Sequence, residues 1–508
     1  MKELGVDALW LSPVYDSPMD DNGYDIRDYQ KILKDFGSMQ DFDELLEQVH
    51  ARGMRLIMDL VINHTSDEHE WFQKALQDKK SKYHDYYIFR KNKNNWTSFF
   101  SGSAWNYYES QNEYALHLFS KKQMDLNWES PYLRSEVISM INWWLDKGID
   151  GFRMDVINCI SKAKGLPDGD ELIGKMMGLT GIEHYFYGPK LHEYLKEINK
   201  KAFTPHNAFS VGETPGLGMQ MCRLVTGEER QELDMVFSFD HLESPGHTRF
   251  EDYEYDLNYF RDYMIDWHKN YGNNCWISLF YNNHDNPKMA SKIKNLPLSS
   301  SDSALLMRQL QKLLAVMQFT LKGTPFVYQG EEIGVLNYDF ESIEQINDVE
   351  SRNLFVELCK KMPEDKAFEI IKAGSREHAR IPLPFEENLK NADCFTETTK
   401  NLMKQQVMCD EIFETYKTLI ALRKNDKSLV YSDFELLSCK KNRFVYRRGN
   451  YIVDCNLDSK ACASYKIKSP CTVVFDSYQR EVKAGDAAVK TLKPYQAVIY
   501  KCYFFAEN

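Results

Sequence analysis

The chain has 508 residues, 43% of them hydrophobic, and a formal net charge of −12. That is more than one ordinary domain, with enough apolar material for a large core. The acidic balance argues against a nucleic-acid partner or an anionic membrane surface, both of which need a basic face, and no apolar run is long enough to span a bilayer.

In chain order, the first apolar run is Ala8–Leu11. Ser38 and Asp41 then form a capping-box-like helix start, Phe42, Leu45, Leu46 and Val49 follow at helical spacing, and Gly53 closes the helix. The strand RLIMDLVINH, Arg55–His64, comes next. The stretch from Thr65 to Ser130 is too long for a simple loop and rich in Trp, Tyr, Phe, Asn and Ser, which predicts a small inserted domain at 65–130. Its aromatics are expected mostly to form its own core.

A second helix with Val137, Ile138, Ile141, Trp144 and Leu145 ends at Gly148, and the strand GIDGFRMDVIN follows. Further short apolar runs stand at Phe209–Gly212, Met235–Phe239 and Trp276–Tyr281. A long apolar helix then leads into TPFVYQG at Thr324–Gly330. Helices alternating with buried strands predict an α/β fold on a parallel sheet. Seven strands, beginning near residues 8, 56, 150, 209, 235, 276 and 324, are one short of a (β/α)8 TIM barrel. From about Phe434 the texture changes to short alternating runs, as in NRFVYRRGNYIVDCNL, which predicts a C-terminal antiparallel β domain. The expected division is therefore 1–64 and 131–425 for the barrel, 65–130 for the insertion and 426–508 for a C-terminal β-sandwich. Eleven cysteines, an odd number without a CxxC pair, suit free thiols in a reducing compartment.

In a parallel barrel, chemistry sits where the strands end. Those ends read DLVINH (Asp59–His64), RMD (Arg153–Asp155), VGE (Val211–Glu213) and NNHD (Asn282–Asp285). Arg153 and Asp155, two residues apart on a strand, face the same side. Either they form a buried ion pair that fixes the strand, or Arg153 governs an active-site carboxylate. A metal site has little support: HEWFQ at His69–Gln73 fails the H-E-x-x-H pattern, and no thiolates join in. Several carboxylates without a metal suit glycoside hydrolysis.

The segments DLVINHTSDEHEWF, GFRMDVIN, FSVGETPG and NNHDNP resemble, in order and spacing, the four signature regions of the α-amylase superfamily, glycoside hydrolase family 13. NGYDIRDY (Asn22–Tyr29), DLNWESP and GTPFVYQGEEIG add to the match. The nearest branch is that of oligo-1,6-glucosidases and α-glucosidases. The resemblance implies Asp155 as nucleophile, Glu213 as acid and then base, and Asp285 as the clamp on sugar hydroxyls. Arg153 would hold Asp155 ionised. His64 and His284 would bind the terminal glucose, Asp25 and Arg380 would pair to close its pocket, and Arg376 would lie nearer the leaving sugar. A substrate-binding tyrosine is counted at position 28, within NGYDIRDY, with no role attached to it. Val156 after the nucleophile is associated in this branch with α-1,6 linkages, though Val is also simply a good strand residue.

The implied activity is exo-acting, retaining α-1,6-glucosidase action on isomaltose-like oligosaccharides. The alternatives are α-1,4-glucosidase, trehalose-6-phosphate hydrolase or sucrose-acting transglycosylase chemistry, or an impaired relative. The partner is a small oligosaccharide, with no metal or other cofactor, and the branch's habit together with the cysteines implies a cytoplasmic enzyme. Two departures stand out. The family's first strand and helix would precede KELGVDALW, which implies a barrel lacking its first stave. After Arg380 the sequence has Leu383, Pro384 and Phe385 where Met-Gln-Trp is typical, so the leaving-group loop is expected to differ.

Overall fold

Seven parallel strands run through the centre of the computed structural model, which describes residues 1–293, 300–390, 395–479 and 489–503, the side chains of 300–302 excepted. They are β1 (Ala8–Leu11), β2 (Arg55–Leu60), β3 (Gly151–Met154), β4 (Phe209–Glu213), β5 (Met235–Phe237), β6 (Ser278–Leu279) and β7 (Thr324–Pro325). β1 to β5 pair in sequence order as one parallel sheet, and β6 pairs with β7 in parallel. Leu56–Leu60 and all of β3 are buried, which is why these strands read as unbroken apolar runs. Gly151 permits the tight β3–β4 approach: a Cβ there would lie 2.1 Å from the Phe209 carbonyl oxygen.

The strands do not close into a continuous barrel. β5 and β6 are neighbours joined by a side chain, Ser278 Oγ donating to Val236 O at 2.6 Å, rather than by a backbone ladder. The larger break lies between β7 and β1, the two strands left at the open edges. A cavity of about 1290 Å³ runs along this seam, from Asp7 and Arg55 where strands start to Asn282 and Gln329 where they end; Trp10, Phe237 and Phe280 help to line it. Among the described residues the strands are therefore open at the β7/β1 seam and broken between β5 and β6.

Helix α1 (Met39–Ala51) begins at Ser38 with the reciprocal Ser38/Asp41 capping box. It buries Phe42, Leu46 and Val49, but Leu45 faces solvent, 39% exposed, one residue outside the buried stripe. Helix α2 (Pro131–Lys147) starts on a proline and stops at Gly148, whose left-handed backbone caps it. Helix α3 (Ser300–Thr320) leads into β7.

Between β2 and α2 the chain makes a three-stranded antiparallel sheet, Trp105–Tyr108 and Phe89–Arg90 flanking Glu113–Leu116. It leaves and returns through paired strands, His64–Ser66 against Gln123–Asp125. Aromatics pack its interior, with Phe72 against Tyr87, Phe89 and Tyr108. After helix α4 (Asp410–Asn425) come five antiparallel strands: β8 (Phe434–Ser438), β9 (Arg443–Arg448), β10 (Tyr451–Asn456), β11 (Cys471–Asp476) and β12 (Ala497–Cys502), in the order β8-β9-β10-β12-β11. A two-stranded piece, Cys462–Ala463 with Thr491–Leu492, accompanies them. Residues 480–488 and 504–508 of the expected C-terminal unit lie outside the described residues. No helix among the described residues is long and apolar enough to cross a membrane.

Candidate active site

Arg153 is the hub. Its side chain is 1% exposed, and its guanidinium meets three carboxylates: Nη1 donates to Asp59 Oδ1 and Asp155 Oδ1, each at 2.8 Å, and Nη2 contacts Glu213 Oε2. β2, β3 and β4 bring these groups together, because parallel register sets Arg153 beside Asp59 on one side and Val211 on the other. Asp59 is fully buried and held further by Tyr24 Oη at 2.9 Å and Trp10 Nε1 at 3.3 Å.

Three carboxylates share one guanidinium, so the cluster is left net anionic when all are ionised. Burial pushes the Asp155 carboxyl well above the usual range, and Glu213 and Asp59 push it further; Arg153 opposes them. Arg153 is divided among three partners: it lowers the Asp155 carboxyl, as expected, but does not outweigh burial and the neighbouring acids.

Val156 follows Asp155 at φ 34°, ψ 42°, a left-handed conformation that is costly for a β-branched residue. It aims the Val156 N–H at Glu213 Oε2, 3.1 Å away. Both contacts on Glu213 thus fall on one oxygen, Oε2.

A second charge lattice closes the other side. Asp285 Oδ1 accepts from Arg380 Nη2 at 2.9 Å and faces Arg376 Nη1 at 3.3 Å, while Asp285 Oδ2 lies 3.0 Å from His284 Nε2. Burial alone would raise the Asp285 carboxyl, but His284, Arg376 and Arg380 outweigh it and hold it well below the usual range. Arg376 also meets Asp21 at 2.9 Å, Asp348 at 2.6 Å and Glu350 at 3.1 Å, and lies 4.7 Å over the Phe100 ring.

The expected Asp25–Arg380 pair is not formed. Asp25 turns inward and accepts from the backbone N–H groups of Asp20 and Asp21 and from Ser17 Oγ, and burial raises its carboxyl to about 6. The acid that reaches the arginines is Asp21, four residues earlier; Arg380 Nη1 is 3.8 Å from it. Asp25 shapes the loop, and the loop presents Asp21. Arg376 is likewise built into this wall, bound to four carboxylates.

The tyrosine counted at position 28 is corrected as well. Residue 28 is an aspartate, Asp28, and the tyrosines of NGYDIRDY are Tyr24 and Tyr29. Asp28 opens the short strand Asp28–Ile32 and meets Lys31 Nζ at 2.9 Å in a partly exposed ion pair, so it takes no part in the pocket. Tyr29 is buried with its hydroxyl on Val61 O at 2.6 Å, a structural contact. Tyr24 is the tyrosine at the site: its hydroxyl meets Asp59 and lies 3.4 Å from Arg153 Nη1.

His64 is 1% exposed, and burial lowers its pKa to about 4. Its ring nitrogens lie 3.2 Å from the amide nitrogens of Asn63 and Gln123, so an imidazolium there would find donors instead of acceptors. His284 stacks on Tyr24, centroids 5.1 Å apart. His69, excluded above from a metal motif, instead caps the following helix through Nδ1. Among the described residues, no group of three or more His, Cys, Asp or Glu is arranged to hold a metal ion.

Sequence reasoning missed Tyr24, Phe100, Asp348 and Glu350, and gave no role to Asp59 or Asp21. Tyr24 sits inside NGYDIRDY, so that signal was available, whereas Asp21 stands one residue before it. Asp348 and Glu350 stand in NDVESR, which carries no motif.

Acidic groups and arginines converging where parallel strands end define a carboxylate-based hydrolase site of the glycosidase kind. The alpha-amylase catalytic-domain family matches residues 1–432, and the chain belongs to that family, glycoside hydrolase family 13. It is 41% identical over 528 residues to an oligo-1,6-glucosidase of Halalkalibacterium halodurans, covering 98% of this chain and 92% of that one. Among solved structures, it is similar to an isomaltulose synthase from Protaminobacter rubrum (TM-score 0.88, 32% identity, 99% and 93% of the two chains covered). It is also similar to a trehalose-6-phosphate hydrolase from Bacillus licheniformis (TM-score 0.84, 35% identity, 98% and 92% covered).

Proposed function

We propose that this glycoside hydrolase is an exo-acting, retaining α-glucosidase that releases glucose from the non-reducing end of isomaltose-like oligosaccharides by cleaving α-1,6 bonds. The observation that carries the reading is the joint arrangement of Asp155 and Glu213 on one guanidinium, facing a wall built from Asp21, Asp285, Arg376 and Arg380. A walled pocket admits one terminal sugar. The similarity to the oligo-1,6-glucosidase, together with 40% identity to a glucan 1,6-alpha-glucosidase of Streptococcus pneumoniae, supports the linkage.

In this mechanism Asp155 attacks the anomeric carbon while Glu213 gives its proton to the glycosidic oxygen, so a glucosyl ester forms and the leaving sugar departs. Glu213, now ionised, takes a proton from water, and that water releases glucose from Asp155. The chemistry needs Asp155 to be ionised when it attacks and Glu213 to carry a proton at the start. With Oε2 engaged by Arg153 and Val156, Oε1 is the oxygen that delivers it. Asp285, kept anionic, accepts sugar hydroxyl hydrogen bonds and faces the positive charge that develops on the ring. Val156 borders the site of the cleaved bond and favours α-1,6 geometry.

The same reading takes 1–64 and 131–425 as a (β/α)8-type barrel, 65–130 as an inserted domain and 426–508 as a C-terminal β domain. Among the described residues the β7/β1 edges are unpaired, and the cavity between them runs the length of the strands. A cytoplasmic setting goes with the reading, because the ten cysteines of the described residues are all free thiols.

The test is glucose release from isomaltose and maltose, side by side, by the chain and its Asp155→Asn variant. Faster release from isomaltose, abolished in the variant with melting unchanged, is expected. Faster release from maltose would overturn the linkage, and full activity in the variant would overturn the nucleophile.

A further inference from the structure

Cys471 opens β11 and Cys502 ends β12, and the strand register sets them directly opposite each other. Two backbone bonds define the pair. The Cys502 N–H points away, to Asn450 O, while the Tyr503 N–H donates to Pro470 O, one step beyond the pair on each strand. This is the non-hydrogen-bonded type of antiparallel pair, whose Cα atoms approach to about 4.5 Å with side chains on one face. Disulfides span Cα separations of about 4.4–6.8 Å. In the described register no other cysteine faces a cysteine: Cys455 faces Phe444 and Ala497, and Cys462 faces Leu492.

The setting of the two thiols differs. Cys502 is 2% exposed within a small cluster that includes Val473 and Tyr500, whereas Cys471 is half-buried and lies on the edge strand of the sheet. The neighbouring strand β12 is central; its Ala497 and Ile499 pack in the core shared with Leu310 and Leu313 of α3.

We propose that Cys471 and Cys502 form a thiol-oxidation site, which a hydroperoxide converts to a cross-strand disulfide fastening edge strand β11 to β12. The Cys471 thiolate, the more accessible, attacks the outer peroxide oxygen, giving a sulfenic acid while the O–O bond breaks and the alkoxide leaves as the alcohol. The Cys502 sulfur then displaces the hydroxyl as water, and the S–S bond closes. Two thiols are oxidised by two electrons in all, and one hydroperoxide is reduced to one alcohol and one water. Burial raises both thiols, Cys502 to about 11, so closure is slow at neutral pH and quickens as pH rises.

The test treats the full chain with hydrogen peroxide at pH 7 and pH 9, alkylates the remaining thiols and maps the peptides by mass. The expected result is a Cys471–Cys502 linked peptide, formed faster at pH 9, reopened by dithiothreitol, and accompanied by a rise in melting temperature that Cys471→Ser abolishes. Cys471→Ala serves as the second variant if the serine unsettles the edge strand. Sulfinic acid at Cys471 with Cys502 still alkylated would overturn the proposal. So would linkage to another cysteine, or a linked peptide with no gain in melting temperature.

Discussion

Arg376 Nη2 donates to Asp21 Oδ1 at 2.9 Å, across 355 residues of chain. The contact ties the loop after β1 to the short helix Glu377–Arg380, and both residues are buried. Gln123 reaches the same Asp21 carboxylate from the inserted segment at 3.1 Å. One acid therefore joins three parts of the chain around the pocket wall. Removing one partner of a buried ion pair leaves the other uncompensated, at a cost of about 3–5 kcal/mol. Asp21→Ala is expected to lower kcat/KM on isomaltose by roughly two orders of magnitude or more. Asp25→Asn, which keeps an acceptor oxygen for the loop, should cost less than tenfold. Equal losses in the two variants would remove the distinction drawn between them.

Val156 predicts a change of linkage. Its side chain is 9% exposed, in a cluster with Trp105 and Tyr185, and its strained backbone fixes where that side chain points. Val156→Thr keeps the branching but adds a hydroxyl. The expected outcome is a shift of the isomaltose-to-maltose ratio of kcat/KM toward maltose by about tenfold, roughly 1.4 kcal/mol. The ratio is the quantity to measure, because an overall loss of activity would report only on folding. An unchanged ratio would leave Val156 with a backbone role alone.

The strands and the acids at their ends were legible because two-sided burial writes a strand as a continuous apolar run, and a charge at its end then stands out. Asp155, Glu213 and Asp285 come from that contrast. Which acid of a loop meets an arginine was not legible: Asp21 and Asp25 are alike in sequence, and only the loop's own hydrogen bonds turn one in and the other out. The division of Arg153 among three carboxylates was hidden for a related reason. A pair two residues apart on one strand is visible, but a partner such as Asp59 arrives through strand register. Leu45 fitted the helical spacing and still faces water, since the buried stripe of α1 is narrower than its apolar residues suggest.

A buried lysine makes a stability prediction. Lys162 Nζ lies 2.7 Å from Asp125 Oδ1 and 2.9 Å from Asn63 Oδ1, with Asp125 fully buried. The pair ties the return strand of the inserted segment to the loop after β3. Lys162→Met leaves Asp125 with its hydrogen bonds from Asn63 and Leu118 but without a counter-charge, and is expected to destabilise by about 3–5 kcal/mol in urea unfolding. Adding Asp125→Asn should recover part of that loss, because the uncompensated charge is then gone. A double variant no more stable than Lys162→Met would show that the hydrogen bonds of Asp125 matter more than its charge.

The histidines set the pH dependence of stability. Burial lowers His64, His69, His241, His268 and His378 to about 4 each. The geometry agrees for two of them. His69 accepts the Trp71 N–H on Nδ1, while His378 accepts the Tyr338 N–H on Nδ1 and meets Lys372 O through Nε2. Each ring uses one nitrogen as acceptor, which only the neutral form allows. In the unfolded chain these groups titrate near 6.5, so between about pH 6.5 and 4 the unfolded state binds more protons, and stability rises with pH through that window. At pH 5 the cost is about 2 kcal/mol per histidine as an upper bound. Buried carboxyls with raised values, Asp155, Asp25 and Glu331 among them, act in the opposite sense, losing stability as pH rises, and offset part of the histidine effect. The urea midpoint is therefore expected to hold between pH 8 and 7 and to fall steadily from about pH 6.5, well before most carboxylates titrate. His378→Gln, which can still accept on one atom and donate on another, should make that fall shallower. A midpoint that stays flat down to pH 4.5 would mean that these rings protonate in the folded protein at little cost.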